Sequence, residues 1–222
     1  MYLRHRSYTC LSLIFFLCLC SCEPKPERLL QSEGDIGDSV QPALHADSII
    51  SSGLLMLQSG DIVLRSGMGP DSYILSQFNQ KDKTYSHCGI VMIENGHPFV
   101  YHSIGGEDNP DERLRRDSVE LFFTPRYCSG VAIVRYDYDS AHIGQLHNVV
   151  TDYYAQRPRF DMQFDLSTDS TLYCAEFVYK ALNKAMHDTM YIKASTGLGR
   201  RYVAVDDLFI NSHCRIVWKV AY

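Results

Sequence analysis

Apolar positions along this chain recur with two different periods, and turn-forming dipeptides mark the places where the period changes. Asp61–Arg65 (DIVLR) and Tyr85–Glu94 (YSHCGIVMIE) are β-branched and apolar, and the second reads as a central strand. Asn95-Gly96 is a hairpin signal, so Pro98–Ser103 (PFVYHS) returns antiparallel to it. Gly130–Tyr136 (GVAIVRY) is a further strand, Val119–Phe123 reads as another, and Arg215–Val220 closes the set. Helical spacing appears at Tyr73, Ile74, Gln77 and Phe78 behind Pro70-Asp71. It recurs over Ala141–Gln156, where Ser140 is placed to cap and Ile143, Leu146, Val150, Tyr153 and Tyr154 form the inner face. A short helix is expected from Ile49 to Leu57. Gly105–Asp117 reads as charged loop, Phe160–Leu166 as extended, Thr196–Arg200 as a Gly-rich turn, and Asp206-Asp207 as a helix start. Strands and helices alternate irregularly, which points to an α+β fold: an antiparallel sheet or partial barrel packed against helices.

One helix changes the picture. In Thr171–Leu182 (TLYCAEFVYKAL), Ala175, Val178, Ala181 and Leu182 repeat at helical spacing, and Thr168, Asp169, Ser170 and Thr171 are suited to cap it. Cys174 then lies in the first turn, where the helix dipole favours thiolate, the nucleophilic form. By position alone Cys174 reads more readily as a small buried hydrophobe. The hairpin supplies possible partners. A two-residue turn sets Glu94 opposite His97 and His87 opposite Ile104, so His102 is a diagonal neighbour of His87 on the same face. A register slip of one residue would put His102 on the other face. Cys88 alternates with His87 and faces away from it. Each histidine, taken singly, also fits a structural role on the backbone.

The first residues add a location. Arg4, His5 and Arg6 precede an apolar run, Leu11–Leu19, too short to span a bilayer. Leu19-Cys20-Ser21-Cys22 resembles a bacterial lipobox, which implies residues 1–21 as a signal peptide and Cys22 as the lipidated first residue of an envelope lipoprotein. Residues 22–48, rich in Pro, Glu, Ser, Gly and Asp, read as a tether, and 49–222 as one folded domain. A net charge of -5 with no basic block argues against a nucleic-acid partner. In an oxidising envelope Cys128 and Cys214 are candidates for a disulfide.

Gly60-Asp61-Ile62-Val63, Tyr85-Ser86-His87-Cys88-Gly89-Ile90-Val91, Val100-Tyr101-His102 and Tyr173-Cys174-Ala175-Glu176-Phe177-Val178-Tyr179-Lys180 together resemble the permuted papain-like amidases of the NlpC/P60 superfamily, in particular the YiiX/YaeF-like branch. In that group the histidine strand precedes the cysteine helix, the order found here. The resemblance implies a circularly permuted papain-like fold and a cysteine hydrolase that needs no cofactor. Cys174 would be the nucleophile, His87 the general base and His102 the residue that orients it. It implies amide or ester substrates, either cell-wall peptides or acylated lipids. Ala175 stands where serine is common. Tyr173 and Tyr85 are candidates to line the cleft, Glu176 to form a structural salt bridge, and Asp61 to fix a turn. Two other readings use the same residues: a metal site of His87, His102 and Cys174, and a binding module that keeps the cleft without turnover.

Overall fold

Asn95 and Gly96 both adopt left-handed backbone, φ 52° and 82°. This is the mirror-image turn that matches strand twist, and it sets the register of the sheet's centre. In the computed structural model, which describes residues 48–222 except 107, 108 and 198, β2 (His87–Glu94) pairs with β3 (His97–His102) with Glu94 opposite His97 and Ile90 opposite Tyr101. The signal, tether and lipidation expectations at residues 1–47 lie outside the described residues.

The remaining strands extend this hairpin into a six-stranded sheet, ordered β4-β3-β2-β1-β5-β8, antiparallel throughout. Here β1 is Ile62–Gly67, β4 Arg115–Ser118, β5 Cys128–Tyr136 and β8 Cys214–Ala221. The central strands are apolar on both faces because both faces are covered. Ile62, Leu64, Cys88, Ile90, Met92, Ala132 and Val134 face α4 (Ser140–Gln156) and α5 (Cys174–Ala185). Val63, Val91, Val100, Val131 and Ile133 face α3 (Val119–Phe123) and α1, the helix over residues 48–54. The α+β expectation of an antiparallel sheet against helices therefore holds, as an open sheet.

Several local expectations are corrected. Val119–Phe123 is helix, not strand: Ser118 accepts the Leu121 N–H at 3.3 Å and Phe122 and Phe123 turn inward, a run too short for periodicity to classify. The end of the supposed loop Gly105–Asp117 is strand β4, whose half-buried polar residues gave no alternation to read. Asp139, rather than Ser140, caps α4, accepting the His142 N–H at 2.8 Å, and Tyr154, set edge-on to Tyr101, stays 39% exposed. The Thr196–Arg200 turn is a small hairpin of β6 (Ser195–Gly197) and β7 (Arg200–Tyr202), and the helix start at Asp206-Asp207 is one turn of 3-10 helix, Val205–Leu208. Cys128 and Cys214 do not meet. Cys214 pairs with Tyr136, at the far end of β5 from Cys128, and eight residues of strand span about 26 Å, against about 7 Å at most for a disulfide. All four described cysteines are free.

Asp61 fixes its turn as expected. Its carboxylate accepts the Gln58 N–H at 2.8 Å and holds Arg135 bidentately at 2.8 and 2.7 Å, tying β1 to β5.

Candidate active site

The register of β2 and β3 brings two imidazoles together. His87 Nε2 lies 2.9 Å from His102 Nδ1, both rings buried. Gly89 makes room for this: a Cβ there would sit 3.0 Å from His102 Cβ and 2.5 Å from Val100. His102 Nε2 in turn lies 3.0 Å from Asp117 Oδ2 on β4, and Arg115 holds the other carboxylate oxygen at 2.9 Å.

This chain has one consistent proton arrangement at neutral pH. Asp117 can only accept, because the His102 hydrogen bond and the Arg115 guanidinium hold it ionised, outweighing its partial burial. His102 Nε2 therefore carries a proton. Burial keeps His102 neutral against the pull of Asp117, so its Nδ1 is an acceptor. His87 Nε2 must then donate. Burial above all, then the Arg65 guanidinium and His102, hold His87 well below the usual imidazole range. It is neutral, with Nδ1 bare: a base whose tautomer is set by a carboxylate two residues removed. Phe122 of α3 supports the assembly, stacking on His87 at 5.5 Å, meeting His102 edge-on at 5.3 Å and carrying Arg65 4.8 Å from its ring centroid.

Cys174 is the first residue of α5, buried, with Tyr173 as N-cap. The cap is thus Tyr173 and not one of the residues 168–171. Glu176 accepts the Tyr173 N–H at 3.2 Å and pairs with Lys180 at 3.0 Å, the structural salt bridge expected of it. Burial nevertheless pushes the Glu176 carboxyl up to about 7. The Cys174 thiol is held below its usual range, first by the neighbouring Cys88 thiol, against the effect of burial. The backbone N–H groups of Ala175 and Cys88 and the Arg65 guanidinium add to this. The Cys88 thiol is pushed well up, chiefly by burial.

Cys174 thus sits beside the residue that follows His87, and Arg65 acts electrostatically on Cys174, His87 and His102 alike. Cys88 and Cys174 share the core on the α5 side of the sheet, whereas His87 lays its ring on Phe122 of the other face. Among the described residues no hydrogen bond joins Cys174 to His87.

Cys174 opens onto a cleft whose wall includes Tyr173, Ser86, Phe78 and Val203. Of the two tyrosines expected to line it, Tyr173 does. Tyr85 is instead buried edge-on against Phe209, and its neighbour Ser86 takes the lining position. Sequence reasoning missed Asp117 and Arg65. Arg65 was findable, since an arginine on an apolar strand directly opposite His87 needs a reason to be there.

The metal reading fits these residues poorly. Three of the four imidazole nitrogens are engaged, with one another and with Asp117. Among the described residues no group of three or more His, Cys, Asp or Glu side chains is placed to hold an ion.

No family model and no curated protein sequence matches the chain. Among solved structures it is similar to that of YiiX from Escherichia coli O157:H7, described as a metalloprotein. The TM-score is 0.59 at 17% identity, over 74% of this chain and 98% of that one. The protein has a YiiX-like fold.

Proposed function

We propose that the protein is a thiol hydrolase of permuted papain-like type, cleaving an amide or ester by acyl transfer through Cys174. The observation that carries this reading is the Asp117–His102–His87 chain, because it leaves His87 a neutral base with its proton on Nε2 and its Nδ1 free to accept. Cys174 attacks the carbonyl carbon as thiolate and forms the S–C bond. The N–H groups of the α5 first turn stabilise the oxyanion. His87 takes at Nδ1 the proton that Cys174 gives up as the thiolate forms, and hands it to the departing amine or alkoxide. It then takes a proton from water as water displaces the sulfur and releases the acid. Resting hydrogen bonds in such sites are often long and tighten on binding. Cys174 packs with Cys88 on the α5 side of the sheet while His87 lies on Phe122 of the other, so the mechanism requires a movement that brings the Cys174 sulfur within reach of His87 Nδ1. His102 orients His87, and Asp117 orients His102.

The reading places the enzyme in a bacterial envelope, held to the membrane through lipid on Cys22, with cell-wall peptides or acyl lipids within reach of the tethered domain. Metabolic labelling with an alkyne fatty acid, lost in Cys22→Ala, tests the anchor. The catalytic reading is tested by Cys174-dependent ester turnover. His87→Ala should lose it, although Cys88, the Ala175 N–H and Arg65 still hold the Cys174 thiol below its usual range. Turnover that survives in His87→Ala would refute the assignment of His87.

A further inference from the structure

The four described cysteines are of two kinds. Cys128 Sγ donates to the Thr124 carbonyl at 3.4 Å and Cys214 Sγ to the Leu208 carbonyl at 3.7 Å, so backbone occupies both. Cys88 and Cys174 instead hydrogen-bond each other. The fold puts these two in contact. The β2–β3 register, carried two residues on from Ile90 and Tyr101, sets Ser103 opposite Cys88. Ser103 Oγ donates to the Leu172 carbonyl at 2.5 Å, and Tyr173 Oη accepts the Val203 N–H at 2.7 Å. Both bonds anchor the chain just ahead of Cys174 and hold the first turn of α5 against β2. Sulfurs in such contact are a short side-chain rotation from the about 2 Å of a disulfide. Access to the two is unequal. Cys88 is fully buried, whereas Cys174 is 5% exposed and lines the cleft. That cleft, walled also by Leu75 of α2 (Pro70–Ser76), Phe164 and Val203, has a cavity volume of about 30 Å³. A molecule the size of water or hydrogen peroxide fits such a space, and the bulk of a peptide disulfide does not.

We infer that Cys174 and Cys88 form a reversible oxidation site for hydrogen peroxide, at which Cys88 converts the oxidised Cys174 to a disulfide. The Cys174 thiolate attacks one peroxide oxygen, the O–O bond breaks, and hydroxide leaves with the proton the thiol gave up, as water. The sulfur is thereby oxidised to sulfenic acid and the peroxide reduced. The Arg65 guanidinium favours the thiolate that this step needs. The Cys88 sulfur then attacks the Cys174 sulfur, the S–O bond breaks, and the sulfenic hydroxyl departs with the Cys88 proton as a second water. The consequence for activity rests on the thiol-hydrolase reading: a bond to Cys88 removes the nucleophile and holds it on the side of the sheet away from His87. A dithiol reductant frees it again. Without Cys88 the sulfenic acid meets further peroxide and becomes sulfinic acid, which such a reductant does not reverse.

Two measurements on the full chain separate this inference from the reading beneath it. The first is peptide mass after a pulse of hydrogen peroxide, quenched in acid with free thiols then blocked. It reports the sulfur chemistry without requiring turnover. Wild type should yield one peptide pair joined through Cys88 and Cys174, with Cys214 still a thiol. Cys88→Ser should yield Cys174 sulfinic acid at the same dose, and Cys88→Ala gives the same reading should Cys88→Ser not fold. The second is ester turnover, each protein measured against its own untreated rate. Wild type should lose turnover with peroxide and regain it with dithiothreitol, whereas the Cys88 variant should lose it and stay inactive. A wild-type Cys174 that remains a thiol, passes to sulfinic acid as readily as in the variant, or bonds a cysteine other than Cys88 would overturn the inference and leave the hydrolase standing. A Cys88–Cys174 disulfide in a protein with no Cys174-dependent turnover would support the oxidation site and sink the hydrolase.

Discussion

Replacing Asp117 by Asn keeps the side chain's shape and removes its charge, and the consequence runs through two histidines. A charge-assisted hydrogen bond is worth about 1.5–3 kcal/mol against about 1 kcal/mol for a neutral one. Arg115, bound to the same carboxylate at 2.9 Å, offsets part of the charge, which favours the low end of the difference, about 0.5–1 kcal/mol. If that difference is lost from the transition state, where His87 becomes imidazolium, kcat/KM falls about 2- to 5-fold. The Asn amide also offers N–H to His102 Nε2. In that arrangement His102 carries its proton on Nδ1, and His87 Nε2 must accept, leaving its own proton on Nδ1 where the base should be bare. Two assays apply: ester turnover, and long-range nitrogen–proton spectra that report each imidazole tautomer. Loss of rate together with a tautomer change at both His87 and His102 is expected. Turnover within twofold of wild type, with unchanged tautomers, would refute the argument that Asp117 sets the base.

Gly89→Ala should cost about 1–3 kcal/mol of stability by overpacking, since its Cβ would meet Val100 at 2.5 Å and the Tyr101 carbonyl at 2.8 Å. It should also push His102 out of line and lower turnover beyond what the stability loss explains, as a paired urea and kinetic measurement would reveal. Asp61→Ala strands a mostly buried Arg135 and should destabilise by about 3 kcal/mol in urea melts while leaving the imidazole tautomers untouched. Glu176, with its folded pKa raised by burial to about 7, binds a proton more tightly folded than unfolded. Its contribution to stability is fully present below the unfolded value near 4.5 and is lost as pH rises through about 7. Urea midpoints for wild type should therefore drop between pH 5 and 8, by the equivalent of about 1–3 kcal/mol, and Glu176→Gln should flatten that slope.

The placement of the histidines was legible because a two-residue turn leaves no freedom in register: Asn95-Gly96 fixes which residue of β3 lies beside His87. The Cys174 helix was legible from spacing alone, because α5 buries one continuous stripe. Asp117 was not, since β4 is a short edge strand of polar residues whose pairing with β3 is decided by the sheet and not by its own pattern. Phe122 was lost with α3, where five residues hold too little period to separate helix from strand. The meeting of Cys88 with Cys174 was equally hidden. Alternation placed Cys88 away from His87, but only the packing of α5 on β2 shows what it faces instead.

The central claim is that Cys174 carries the acyl group. Quenching the protein in mid-turnover of p-nitrophenyl octanoate, followed by intact and peptide mass measurement, tests it directly. The account predicts one octanoyl adduct, on the peptide containing Cys174, absent in Cys174→Ala and accumulating in His87→Ala only at a much reduced rate. An adduct on Cys88 or on any other residue, or turnover that survives Cys174→Ala, would contradict it.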